Sequence, residues 1–374
     1  MSNSTRKQGA VVILPNKGDG RETGHESAAQ QTLARRIADL KEWAFAGRYD
    51  PACNYGCPVY FVPGDTITSL ARAQSLGIRG EHDLFGGVVP FAHVATKTIT
   101  HPLAGDDAEA PDGWCGDFAA SVADVVLPGI SAFSLADASL AGSALLQHGA
   151  VRIKLADGIG GAGQTVARDA AQLEEQLQAV AAAGGFAGGV VLERNLNDVQ
   201  TLSVGQVRIG DQLASYYGNQ RLTRNNAGEQ VYGGSDLVVV RGGYDTLLGL
   251  DLPSEIALAV RQAHVYHEAA LKCFAGMIVS RSNYDIAQGR DCEGVWRSGV
   301  LEQSWRAGGA SGAEIAALEA FRADPALRTV RASTVEVYGD GQAVPDDAVV
   351  YYRGQDEQVG ALAKYTRLSI DAHS

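Results

Sequence analysis

Two acidic residues late in the chain, Asp285 in SRSNYDIAQG and Glu302 in VLEQSWRAGGAS, fall on successive strand candidates joined by a polar, glycine-bearing loop. Two carboxylates aimed from neighbouring strands at one cleft repel each other unless cations sit between them. Such hard oxygen donors, completed by phosphate oxygens, suit Mg2+. The competing reading is cross-strand pairing with Arg281, Arg297 or Arg306, a surface arrangement of small energetic weight. Earlier, RIKLADGIGGAGQTV places Arg152 and Lys154 on one face of a strand and Ile153 on the other. Gly158, Gly160, Gly161 and Gly163 follow at once. Glycines let backbone N–H groups approach a polyphosphate, and a lysine adds a point charge. The loop lacks GK[ST], and no G-x-G-x-x-G follows the strand, so a phosphate cradle and a plain hairpin both stay open. In GVVLERNL an apolar run ends at Glu193, and the ordinary role of a strand-end carboxylate is a solvated cap.

The elements that must carry these residues follow from periodicity. AVVILP reads as a buried strand, SAAQQTLARRIADLKEWAF as an amphipathic helix, CPVYFVP as a second strand, and DTITSLARAQSLGI as a helix ending at Gly77. This β-α-β-α order suggests a small α/β lobe. His25 and Glu26, at the start of the first helix, read first as a capping pair, with contact to a substrate amine or anion as the alternative. Residues 81–130 are turn-rich and lack clear periodicity. From Ser134 a serine-capped helix, the strand bearing Lys154, a second helix (RDAAQLEEQLQAVAAAG) and the strand ending at Glu193 succeed one another. TLSVGQVRIG and QLASYYGNQRLT alternate like an antiparallel pair, and a long helix opens at Pro253 and Ser254. After the two carboxylate strands come a helix, GAEIAALEAFRA, and a looser tail.

Bulk properties narrow the function classes. A length of 374 residues favours two or three lobes. The balance of 31 basic to 43 acidic residues, net −12, argues against a broad nucleic-acid or anionic-membrane surface. Apolar runs are too short for a signal core or a spanning helix, so a soluble, cytoplasmic protein is expected. Of the five cysteines only Cys53 and Cys57 are close, and no second close pair completes a zinc site. Reduced thiols are the expectation. Cys115 and His101 fit no nucleophile signature, and His264 and His267 read as ordinary helix residues.

Taken in order, a lysine before a glycine loop, a helix, a strand ending in glutamate and a late Asp…Glu pair resemble the ATP-grasp superfamily over residues 90–325. DLFGGVVP, ATKTITHPL, SYYGNQRLT, VYGGSDL and LEQSWRAGGAS resemble more closely a bacterial family within it that is classed as a domain of unknown function. The resemblance implies an α+β fold whose two lobes hold Mg·ATP. The lobes would be 96–200, with the glycine loop, and 201–374, with the metal strands and tail, preceded by an α/β lobe over 1–95. It implies that Lys97 and Lys154 contact phosphates under a loop of Gly160, Gly161 and Gly163. Glu193 to Leu196 would form the adenine-reading hinge, and Gln200 would stand where an acidic residue often holds ribose. Asp285 and Glu302 would bridge the metal, with Ser304 where the pattern has asparagine. A hydroxyl is a poorer Mg2+ ligand than a carboxamide oxygen. Arg306, with Arg221 as a second candidate, would meet the acyl phosphate or substrate carboxylate. The implied activity is an ATP- and Mg2+-dependent carboxylate–amine ligase acting on small molecules, with room for a homodimer. A small-molecule kinase and a non-catalytic nucleotide-binding protein are the alternatives.

Overall fold

The computed structural model describes residues 8–15, 24–156, 158 and 163–369. The chain opens with strand β1 (Ala10–Leu14), helix α1 (His25–Lys41), β2 (Ala44–Arg48), β3 (Val59–Pro63), the short helix α2 (Leu70–Ser75) and the two-residue strand β4 (Gly87–Val88). β1 lies between β2 and β3 in a parallel sheet, as a βαβ crossover requires. The expected helix ran on through Phe45. It stops instead at Lys41, because Glu42 takes the left-handed conformation (φ 56°) and returns its N–H to the Ala38 and Asp39 carbonyls. Alternation then resumes, and the Trp43 ring lies so close over Gly9 that a Cβ there would meet it at 2.4 Å. The cap also differs from expectation. Neither His25 nor Glu26 closes the helix start; the His25 N–H donates to Asp356 Oδ2 at 2.8 Å, from the far end of the chain. Gly24, at φ 106°, makes that approach, where any side chain would crowd the same carboxylate.

A second sheet comprises β5 (Gly129–Ala132), β6 (Val151–Leu155), β7 (Gln164–Ala167) and β8 (Val190–Arg194), in the order β5-β8-β6-β7, all antiparallel. It is preceded by α3 (Gly116–Val122) and packed by α4 (Leu135–Leu146) and α5 (Ala170–Ala182). Ser134 caps α4 as expected, and Asp169 caps α5. Val151, Ile153, Val190 and Leu192 face these helices. Period-two alternation therefore turns Arg152, Lys154 and Glu193 to the opposite face. The segment 81–130 is not an open connection. Val89, Val94, Ile99, Phe118 and Val122 are buried in one cluster with the long helix, through single turns too short to show a period.

The largest sheet is eight-stranded. Its members are β9 (Asn197–Ile209), β10 (Gln212–Arg224), β11 (Gln230–Arg241), β13 (Arg281–Arg290), β14 (Trp296–Ser304), β15 (Thr329–Tyr338), β16 (Val349–Asp356) and β17 (Gly360–Ser369), with β12 (Ile278–Val279) pairing instead with β4. The order is β14-β13-β9-β10-β11-β15-β17-β16. The expected loose tail is thus three strands of this sheet. One face carries Leu202, Val204, Tyr284 and Ile286 against α7 (Ser254–Cys273), beside the short α6 (Tyr244–Leu248). The other carries Val207, Tyr216 and Leu237 against α1 and α8 (Ser311–Ala323). Among the described residues no helix is long and apolar enough to cross a membrane.

Candidate functional site

Asp285 and Glu302 are direct cross-strand partners on β13 and β14, and Ser203 on β9 faces Asp285 from the other side. A bulge immediately beyond the pair sends Leu301 into a small apolar cluster with Leu127, Leu196 and Ala287, while both carboxylates stay on one face. That face borders a cavity of about 840 Å³ lined by Asp285, Glu302, Ser304, Arg306 and residues 308–312, and also by His25, Tyr351, Tyr352 and Asp356.

None of the three arginines weighed as cross-strand partners pairs with these carboxylates. Arg297 goes to Asp291 at 2.9 Å, Arg306 lies 3.6 Å from Asp65, and Arg281 pairs with Glu314 at 2.7 Å. Glu302 instead meets Lys97, whose Nζ is 2.8 Å from its Oε2. The Lys97 ammonium is buried, and donates also to the Gly158 carbonyl at 2.5 Å and the Leu155 carbonyl at 3.4 Å. One lysine thus joins the start of the glycine loop to the carboxylate strand. Gly163 closes that loop at φ 70°; Gly160 and Gly161 lie outside the described residues.

Lys154 and Glu193 form a second buried ion pair, with both side chains almost inaccessible. His101, the residue that fitted no signature, completes it: its Nε2 lies 3.3 Å from Glu193 Oε2. Burial alone would raise the Glu193 pKa, but Lys154 and the His101 hydrogen bond hold it well below the usual range. Room for the imidazole comes from Gly129, opposite Glu193 on β5, where a Cβ would meet the ring at 2.8 Å. Glu193 is therefore not a solvated cap.

The structure does not bring every candidate to this place. Gln200 lies on the α7 face of β9, opposite to Ser203, and donates to Asn219 Oδ1 at 2.8 Å. It lines a separate depression with Gln288 and Glu255. Arg221 points away from its cleft-lining neighbour Gln220 and is held by Asp236 at 3.0 Å and the Thr334 carbonyl at 2.7 Å. Leu196 is buried beneath the bulge. Conversely, Asp285 Oδ1 accepts from Gln220 at 2.9 Å, Asn283 at 2.8 Å and Ser203 at 3.4 Å, none of which the sequence singled out.

These bonds fall on Oδ1, so Oδ2 is left to other partners. Burial first, and the Glu302 charge second, push the Asp285 carboxyl up to about 6. An Asp285 carboxylate held only by neutral donors, beside a second carboxylate, fits a divalent cation completed by phosphate oxygens. Among the described residues no cluster of three or more His, Cys, Asp or Glu exists, so such a cation would depend on the two carboxylates and neutral oxygens. A carboxyl with a raised folded-state pKa supports the fold when protonated, and that support is lost as pH rises through about 6. In chelator at pH 8, Asp285→Asn should therefore stabilise the metal-free chain, by at most about 3 kcal/mol. The gain should vanish towards pH 4, which urea unfolding at both values would read; destabilisation at pH 8 contradicts this account.

Residues 13–366 match the model of a family described as "Protein of unknown function (DUF3182)". The chain belongs to this family. No curated protein matches the DUF3182 chain. Among solved structures, a Rhizobium etli pyruvate carboxylase variant with the allosteric activator acetyl coenzyme A aligns at TM-score 0.50 and 12% identity, over 96% of this chain and 36% of that one. Campylobacter jejuni biotin carboxylase bound to β,γ-ATP gives 0.49 and 12%, over 98% and 89%. D-alanyl-alanine synthetase A from Vibrio cholerae gives 0.46 and 12%, over 80% and 89%. The DUF3182 chain has the α+β ATP-grasp fold.

Proposed function

We propose that the chain is an ATP- and Mg2+-dependent carboxylate–amine ligase that works through an acyl phosphate. The observation that carries this is Glu302, which lines the large cavity beside Asp285 and Arg306 and also meets Lys97, itself bonded to the Gly158 carbonyl. One carboxylate thus borders both an acceptor-sized cavity and a lysine-lined phosphate side.

In this reading Lys97 and Lys154 exchange their carboxylate partners for the phosphates of ATP, and Asp285 and Glu302 hold Mg2+. The metal supplies charge neutralisation at the phosphate oxygens. The substrate carboxylate oxygen attacks the γ-phosphorus, the bond to ADP breaks, and ADP leaves. Arg306, which lines the cavity beside Glu302, holds the acyl phosphate. The amine nitrogen then attacks the acyl carbon, phosphate leaves, and the nitrogen gives up a proton. No side-chain nucleophile is required, since such transfers depend on positioning and electrostatic stabilisation.

Hydroxylamine provides the test. Incubating the chain with MgATP, a panel of amino and organic acids, and hydroxylamine should yield a hydroxamate together with ADP. ADP release with a phosphorylated acceptor and no hydroxamate would replace this reading with a kinase. No nucleotide-dependent product, together with no nucleotide binding, would remove both.

A further inference from the structure

Position 304 carries serine where the superfamily pattern has an asparagine beside the metal. The strand register shows what stands opposite it. Asn283 on β13 is the cross-strand partner of Ser304, on the same face as Asp285 and Glu302, and it too lines the cavity.

The two ends of the Asn283 carboxamide are held differently. Nδ2 donates to Asp285 Oδ1 at 2.8 Å. Oδ1 lies 3.0 Å from the Tyr216 hydroxyl. That hydroxyl has a single proton, and the Glu314 carboxylate, 2.6 Å away, is the stronger acceptor for it. The carboxamide oxygen therefore faces an oxygen whose proton is engaged elsewhere.

Rotating the amide by half a turn exchanges its ends. Nδ2 then donates to a lone pair of the Tyr216 hydroxyl, which keeps its own bond to Glu314, and Oδ1 turns towards Asp285. Without a cation this sets two acceptors against each other. With a cation at the carboxylates it becomes the favoured orientation, and every polar atom in the chain Asn283–Tyr216–Glu314 keeps a partner. Ser304 instead has a guanidinium beside it, which disfavours a second cation at the same oxygen: its hydroxyl lies 3.5 Å from Arg281 Nη1, and its carbonyl accepts from the same nitrogen at 3.3 Å.

The geometry points to Asn283, not Ser304, as the neutral oxygen donor that joins Asp285 and Glu302 around the cation, so that the carboxamide missing from β14 is supplied by β13. This rests on the ligase reading above, but its test is separable from activity. Mn2+ serves as the probe, its free concentration read by electron paramagnetic resonance in the presence of ADP. Removing the oxygen in Asn283→Ala should weaken Mn2+ binding by about tenfold or more, whereas Ser304→Ala should change it by less than about twofold. Asn283→Asp, which keeps an oxygen and the side-chain shape, should bind at least as well as the parent chain. Adding Ser304→Asn to Asn283→Ala should restore most of the loss.

Parent-like binding by Asn283→Ala, or a tenfold loss in Ser304→Ala, overturns the assignment while leaving the ligase reading intact. Failure of the parent chain itself to bind Mn2+ with ADP overturns both. Should Asn283→Ala fold poorly, Asn283→Asp alone decides, since loss of binding there contradicts the proposal.

Discussion

Glu302→Gln is expected to cut ATP turnover by about a thousandfold or more while changing the melting temperature by no more than a few degrees. The choice of glutamine matters. Lys97 is buried, and its ammonium is satisfied by Glu302 and by the Leu155 and Gly158 carbonyls. Glutamine keeps an oxygen where that ammonium donates but removes the negative charge that a cation needs. Alanine would take away the acceptor oxygen as well and leave the buried ammonium with the two carbonyls alone, so lost activity could be blamed on a weakened fold. ADP release with the acceptor panel, beside thermal unfolding, reads both quantities. Turnover equal to the parent chain would show that Glu302 is an ordinary partner of Lys97 and end the metal assignment.

What the sequence made legible here is what local pattern determines. Strand alternation and one short loop suffice to place Asp285 and Glu302 on adjacent strands, and their register confirms that they face each other. Apolar neighbours at period two also fix the faces that Lys154 and Glu193 take, but not their pairing, so Glu193 read as a solvated cap and is buried against Lys154 instead. Gln200 shows where this stops. It stands three residues before Ser203 on one long strand, an odd offset, so the two point to opposite faces. Only the position of α7 says which face is which. Arg221 and Gln220 differ in the same way, by one residue.

The remaining omissions have a common cause in long-range pairing. The cap of α1 comes from Asp356, and His101 reaches Glu193 only because Gly129 stands between them in space. The tail strands escaped notice because β16 exposes most of its residues and joins the sheet only through β17. Arg281 and Glu314 are almost wholly buried, against the usual exposure of both residue types, and nothing local announces a charged pair inside a core.

That pair carries the second large expectation. Arg281 Nε and Nη2 bond Glu314, Nη1 donates to the Arg306 carbonyl at 2.7 Å, and the Tyr216 hydroxyl donates to the same glutamate. Burial works against the Arg281 charge, but Glu314 outweighs it and raises its pKa above the ordinary value. Glu314→Ala strands that guanidinium in the core and should cost about 3–5 kcal/mol in urea unfolding. Arg281→Met strands the carboxylate, so a similar loss is expected. The double variant Arg281→Met with Glu314→Leu removes both charges and fills the space, so its loss should fall well short of the sum of the two single changes. Activity should not return with stability. Arg281 also fixes the turn between Ser304 and Arg306, and without its bond to the Arg306 carbonyl the arginine proposed to hold the acyl phosphate loses its anchor. A double variant that is stable yet inactive would separate the two roles of the pair. One that is stable and fully active would mean that the turn holds its shape without Arg281.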